Sequence, residues 1–238
     1  PLSRKFGCDP EMAVDVLDLA KKLGLEPVGI SFHVGSQQRK VKAWDRALAM
    51  ASQVFRDCAE RGINLSLVNM GGGFPTKYLK DVPPVLQYGR SIFRALRKHF
   101  GNQIPETIIE PGRGMVGNAG VIETEVVLIS KKSDDDENRW VYLDIGKFGG
   151  LAETMDEAIR YPIVTTRDED EKSPCVLAGP TCDSADVMYR CVDLPDDLAE
   201  GDRVWFAAAG VYTTSYASAF NGFAPLRTEL TDTLPCVG

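Results

Sequence analysis

Apolar residues recur at helical spacing through the first hundred positions. Asp9-Pro10-Glu11 reads as an N-cap followed by proline in the first turn. Met12, Val16, Leu19, Ala20 and Leu23 then fall mostly three and four apart, and Gly24 ends the predicted helix. The short apolar run Val28–Phe32 predicts a buried strand. A second helix is expected over Val41–Arg61, with Trp44, Leu48, Ala51 and Phe55 on one face and Gly62 at its end. Leu65–Asn69 reads as the next strand, Pro84–Phe100 as a third helix and Thr107–Glu110 as a third strand. Alternation of strand and helix with a period of about 40 residues builds parallel βαβ units.

After about Val116 the pattern changes. Val121–Ile129 alternates, with Ile122, Thr124, Val126 and Leu128 on one face against Val121 and Glu123. Arg139–Asp144, Tyr161–Val164, Pro174–Ala178 and Arg203–Ala208 also read as strands, separated by turns rich in Gly, Pro and Asp. The expected organisation is α/β plus all-β. Residues 1–115 would form βα units of a barrel that they cannot close alone, and residues 116–238 a sandwich- or barrel-like β domain. Three or four βα units leave sheet edges open, so either the sheet is open or the chain begins partway through a domain.

In an α/β barrel, chemistry sits at the C-terminal ends of the strands. Here His33 follows the first strand, Gly71–Gly73 the second, and Glu110 and Arg113 the third. Each has a plain structural alternative. His33, in Ser31-Phe32-His33-Val34-Gly35-Ser36, can be a satisfied structural histidine or a flat ring that stacks on a planar cofactor, with Ser36 donating to a phosphate. Gly71-Gly72-Gly73-Phe74-Pro75 can be an ordinary turn, or a loop that aims N–H groups at a phosphate. Glu110-Pro111-Gly112-Arg113 can be a surface ion pair. It can also be a carboxylate for a protonated ring nitrogen with a guanidinium for a phosphate. In the second half, Cys182 and Asp183 of Gly179-Pro180-Thr181-Cys182-Asp183-Ser184, Tyr212, and Phe220-Asn221-Gly222-Phe223 read singly as a buried thiol and core aromatics.

The net charge of −7, with no Lys/Arg block, argues against a nucleic-acid or anionic-membrane partner. The acidic runs Asp134–Glu137 and Asp168–Glu171 read as solvated loops. No run approaches the ~18 apolar residues of a membrane helix. The opening Pro1-Leu2-Ser3-Arg4-Lys5 has no apolar secretory stretch and no initiator Met, so the true start is expected to lie upstream. Cys8, Cys58, Cys175, Cys182, Cys191 and Cys236 show no C-x-x-C spacing, and the histidines are His33 and His99. No metal site is expected, and a cytoplasmic setting with free thiols fits.

Taken together, Phe32-His33-Val34-Gly35-Ser36, Gly71-Gly72-Gly73-Phe74-Pro75, Glu110-Pro111-Gly112-Arg113, Gly179-Pro180-Thr181-Cys182-Asp183, Tyr212-Thr213 and Phe220-Asn221-Gly222-Phe223 resemble the fold-type III decarboxylases that use pyridoxal 5'-phosphate (PLP). These are the ornithine/lysine decarboxylases and their diaminopimelate and carboxynorspermidine cousins. The resemblance covers nearly the whole chain. It implies the later strands of an alanine-racemase-like (β/α)8 barrel followed by a β domain. It also implies that His33 stacks on the PLP ring and that Glu110 pairs with the ring nitrogen. Ser36, the amides near Gly72 and Gly73, Gly112, Arg113 and the Tyr212 hydroxyl would hold the phosphate. Cys182 would be a proton donor, and Asp183, Asp156 and Phe220 would meet the substrate, Asp183 reaching across the interface of a homodimer.

Members of that family hold PLP as a Schiff base on a lysine near the start of the barrel, and no lysine here lies in such a motif. The N-terminal part is therefore expected to be missing, and this chain alone is expected to be inactive. The implied reaction is decarboxylation of a basic L-amino acid, ornithine to putrescine first, with lysine or diaminopimelate as alternatives. Asp183 after Cys182 favours an ammonium over a distal carboxylate. Ornithine and lysine differ by one methylene, worth only ~1–3 kcal/mol in a pocket. The rival reading is an inactive, antizyme-inhibitor-like regulatory homologue.

Overall fold

The computed structural model describes residues 5–233, so Cys236 and the first four positions lie outside the described residues. The chain divides into two compact units. The first runs to Thr76 and resumes at Val82–Met115; the second comprises Lys77–Asp81 and the residues from Val116 onward.

The first unit contains three parallel strands in the order β1-β2-β3: β1 (Gly29–Ser31), β2 (Leu67–Asn69) and β3 (Glu106–Ile108). Gly29 pairs with Leu67, and Asn69 with both Ser31 and Ile108. Helix α1 (Pro10–Lys22) starts as the sequence predicts: the Asp9 carboxylate accepts from the Met12 amide at 2.9 Å. Its apolar face does not follow the predicted one. Met12, Val16, Leu19 and Leu23 are exposed, and the buried contact is Val14, which packs with Val54, Cys58 and Ile63. Spacing finds an apolar stripe but not which part of it another element covers.

Helices α2 (Ala43–Glu60) and α3 (Val85–Phe100) behave as expected. Trp44, Leu48 and Ala51 of α2 and Tyr88, Ile92, Ala95 and Leu96 of α3 are buried together against Val68 and Met70. Trp44 lies 4.9 Å from the Phe74 ring and 5.7 Å, edge-on, from Tyr88. This aromatic trio anchors the strand-end loops, because Phe74 directly follows the glycine run and the Tyr88 hydroxyl donates to Gln38 O at 3.0 Å. The strands are shorter and more open than predicted. Val28, in the run read as a buried strand, is exposed, as are Ile108 and Ile109, and Glu110 lies beyond the end of β3. The short helix α4 (Gly112–Val116) follows.

The second unit holds β4 (Ile122–Ser130), β5 (Arg139–Leu143), β6 (Ile163–Thr165), β7 (Lys172–Ala178), β8 (Val187–Pro195) and β9 (Arg203–Phe206), in the sheet order β6-β9-β4-β5-β7-β8. All neighbours are antiparallel except β5 and β7. Strand β4 pairs with β9 through Ile122–Glu125 and with β5 from Val126 onward, with a bulge between Val126 and Leu128. The bulge lets one strand serve both halves of the sheet. Val141, Leu143, Cys175 and Leu177 from one half and Val204 and Phe206 from the other pack into one core. The bulge also corrects the predicted alternation. Ile122, Thr124 and Val126 face inward, but Leu128 is 44% exposed and Ile129 takes the inward place, because a one-residue slip reverses the faces. Strand β8 was absent from the predicted strands. Its charged positions, Arg190 and Asp193, break the apolar alternation; it pairs with β7 in regular register from Lys172 to Cys175 and through shifts beyond.

Candidate functional site

In the first unit three strand ends converge. The Gly71–Gly73 loop after β2 is wedged between the loops after β1 and β3. A Cβ at Gly71 would lie 2.3 Å from Phe32 O, one at Gly72 2.6 Å from Glu110 O, and one at Gly73 2.3 Å from Gly35 O. Gly71 and Gly73 also have φ of +62° and +93°. The glycines are therefore required for backbone packing, whatever else their amides do. Replacing Gly73 by alanine is expected to destabilise the chain by about 3 kcal/mol, combining a left-handed backbone with a backbone clash. Urea unfolding of the variant checks this; an unchanged midpoint would mean that the loop yields at no cost.

His33 is exposed, and its Nδ1 accepts from the Gly35 amide at 2.8 Å. In the neutral ring the proton is then on Nε2. That Nε2 lies 3.6 Å from where a Gly72 Cβ would be, so the imidazole edge, Gly72 and Glu110 share one small region. Glu110 is exposed, with its Oε1 accepting from Asn69 Nδ2 at 2.7 Å. Asn69 Oδ1 in turn accepts from the Gly71 amide at 2.9 Å. The sequence reading missed Asn69, which passed as a strand-end residue. Its signal is an amide side chain closing a strand two residues before a glycine run. Ser36 is exposed in the loop that hydrogen-bonds the glycine run through Gln38 N and Gly73 O, 2.8 Å apart. Gly112 opens α4 with free space where a Cβ would be, while Arg113 is buried at 6% exposure.

In the second unit Cys182 and the 220–223 segment meet. Asn221 Oδ1 accepts from the Cys182 amide at 3.2 Å and lies 3.4 Å from its Sγ. Phe220 next door packs on Phe148 with ring centres 4.7 Å apart. Contrary to the reading of a buried thiol and core aromatics, Cys182, Phe220 and Phe223 are exposed, and so is Tyr212. The buried thiols are Cys58 and Cys175; burial pushes both up, Cys175 to about 12.

The loop carrying Cys182 is held by a residue that the motif reading passed over. Asp186, 2% exposed, accepts from the Thr181 hydroxyl at 2.7 Å, the Thr181 amide at 3.2 Å and the Lys147 amide at 2.8 Å. Gly146 and Gly179 make room for that carboxylate. Asp183 faces solvent in the same turn, its Oδ1 accepting from the Ala185 amide. Asp156 is exposed at φ +51°, next to Glu157 at φ +53°, and Tyr212 sits at φ +54°. Such left-handed backbone is uncommon for non-glycine residues and recurs at functional sites. No helix among the described residues is long and apolar enough to cross a membrane.

Residues 2–117 match the family model described as "Pyridoxal-dependent decarboxylase, pyridoxal binding domain". The lysine/ornithine decarboxylase of Selenomonas ruminantium is 35% identical over 93% of this chain and 55% of its own length. Antizyme inhibitor 2 of Xenopus laevis is 34% identical over 93% of this chain and 51% of its own. The crystal structure of lysine/ornithine decarboxylase complexed with cadaverine from Vibrio vulnificus superposes with a TM-score of 0.86 at 34% identity, covering 98% of this chain and 62% of that one. The chain spans about half the length of the curated relatives it matches. With its partial barrel, its β domain and these relatives, the chain belongs to the fold-type III family of PLP-dependent decarboxylases.

Proposed function

We propose that these residues contribute most of the cofactor and substrate contacts of a PLP-dependent decarboxylase acting on a basic L-amino acid, with ornithine as the first candidate. The observation that carries the reading is the strand-end cluster, in which Glu110, fixed by Asn69, lies beside Gly72 and His33. The donor set fits PLP. Glu110 offers an acceptor for a protonated ring nitrogen, the imidazole offers a flat partner for the ring, and Arg113 offers a guanidinium for the phosphate. Ser36, the amides near Gly72 and Gly73, Gly112 and the Tyr212 hydroxyl complete the phosphate contacts. PLP, when bound, supplies the electron sink for loss of the α-carboxyl group.

The chain's own residues then do three things. Glu110 accepts from the ring nitrogen and keeps its proton there. Cys182, its thiol facing Asn221, delivers a proton to the α-carbon after CO₂ has left. Asp183 and Asp156 pair with the distal ammonium, and Phe220 borders the substrate's methylenes. Asp183 and Cys182 act in a site completed by the other subunit of a homodimer, in the cytoplasm. The acid after Cys182 supports a distal ammonium, which ornithine and lysine both carry, and the relatives' names include both substrates.

The experiment is a chimera in which this chain replaces the matching segment of the Selenomonas ruminantium relative, which would bring the barrel lysine. It is expected to decarboxylate ornithine and lysine and to leave diaminopimelate untouched. An inactive chimera that folds, dimerises and binds PLP would favour the second reading, a regulatory homologue like the antizyme inhibitor among its relatives.

A further inference from the structure

Asn69 is the last residue of β2, and its side-chain amide is committed at both ends. The Gly71 N–H points at Oδ1 at 2.9 Å, and Nδ2 lies 2.7 Å from Glu110 Oε1. A backbone N–H can only donate, so the oxygen of the amide must face Gly71 and the NH₂ must face Glu110. The polarity of the contact to Glu110 is thus imposed by the main chain. The backbone closes the ring: Glu110 N donates to Gly71 O at 2.9 Å. The ring sits in close backbone packing, where a Cβ at Gly71 would fall 2.3 Å from Phe32 O and one at Gly72 2.6 Å from Glu110 O.

The Asn69 donor fills one acceptor site of Oε1 and fixes the rotation of the carboxylate. We propose that Asn69 is a positioning residue for Glu110, engaging Oε1 so that Oε2 is presented, as an acceptor, to a protonated ring nitrogen. The proposal deepens the function given above and rests on its reading of Glu110. Two substitutions separate the contributions. Asn69→Leu keeps the branched shape and deletes both the donor to Glu110 and the acceptor for the Gly71 amide. Asn69→Asp keeps the shape but sets a second carboxylate against the first, and two such groups at hydrogen-bond distance must share a proton, which takes Glu110 away from the ring nitrogen.

The first measurement uses this chain without cofactor. In NMR hydrogen exchange, the Asn69 side-chain NH₂ is expected to be protected in the native sequence and to lose protection in Glu110→Leu, while the Gly71 amide stays protected. Equal exchange in the two chains overturns the proposal. The second uses the chimera with PLP. A hydrogen bond to a charged group is worth roughly ten- to a hundredfold in rate if it acts only on the chemical step. Asn69→Leu is expected to lower kcat by that order with KM within about twofold, and Asn69→Asp to lower it further.

In a Glu110→Gln background, Asn69→Leu should add almost nothing, because the two residues act as one unit. Full additivity, or a loss confined to KM or to thermal stability, overturns the positioning role. If Glu110→Gln itself leaves kcat unchanged, the reading of Glu110 fails, and the NMR result still decides whether the Asn69 contact exists.

Discussion

Glu110→Gln in the chimera lowers kcat by roughly a hundredfold or more and leaves cofactor retention nearly unchanged. The local geometry sharpens this expectation. Asn69 offers its NH₂ to residue 110, so the substituted amide must turn its oxygen toward Asn69 and its own NH₂ outward. It would then donate to an unprotonated ring nitrogen, the reverse of what an electron sink needs. Arg113→Ala should give the opposite pattern: PLP dissociates more readily because a guanidinium contact to phosphate is lost, while the enzyme that remains loaded keeps most of its kcat. Dialysis against buffer without PLP, followed by absorbance and single-turnover rates, separates the two effects. A Glu110→Gln enzyme with kcat within a few-fold of the parent would end the assignment of Glu110 to the ring nitrogen.

What the sequence made legible follows from how local each signal is. The cap at Asp9, the inner faces of α2 and α3 and the glycine run are set by neighbours within a few residues, and periodicity or composition carries them. Strand β8 and the reversal at Leu128 are not local. The first depends on pairing with β7, the second on a single bulge in β4. The family motifs brought out His33, Glu110 and Cys182 because those residue types are chemically conspicuous. Asn69, Asp186 and the individual role of Asn221 stayed hidden, because each acts by holding another residue. Asn69 reaches 41 positions along the chain to Glu110, and Asn221 reaches 39 to Cys182. Asp186 is close in sequence to Thr181, yet its third partner is the Lys147 amide, 39 positions away. The glycine run was legible but only half understood. Its proposed phosphate amides sit on a backbone that admits no side chain for steric reasons alone.

Cys182 and Asp183 are neighbours with different work, and substitution should separate them. Asp183→Ala is expected mainly to raise KM for the diamino acid, since a desolvated ammonium loses its charged partner at a cost of about 2–5 kcal/mol. The fold should tolerate the change, because Asp183 is exposed and its one side-chain bond is the local one to Ala185 N. Cys182→Ala should still bind substrate and release CO₂, but return the proton slowly or to the wrong atom. The thiol's contact with Asn221 is at the protein surface, so this change too leaves the core intact. If the site is completed by the partner subunit, complementation follows. Asp183→Ala chimeras mixed with chimeras that lack the barrel lysine form random heterodimers, in which one of the two sites receives a good lysine and a good aspartate. The mixture should recover about a quarter of the unsubstituted chimera's activity, although each parent is nearly inactive. Heterodimers shown by mass to form, in a mixture as inactive as its parents, would mean that Asp183 serves its own chain's site or none.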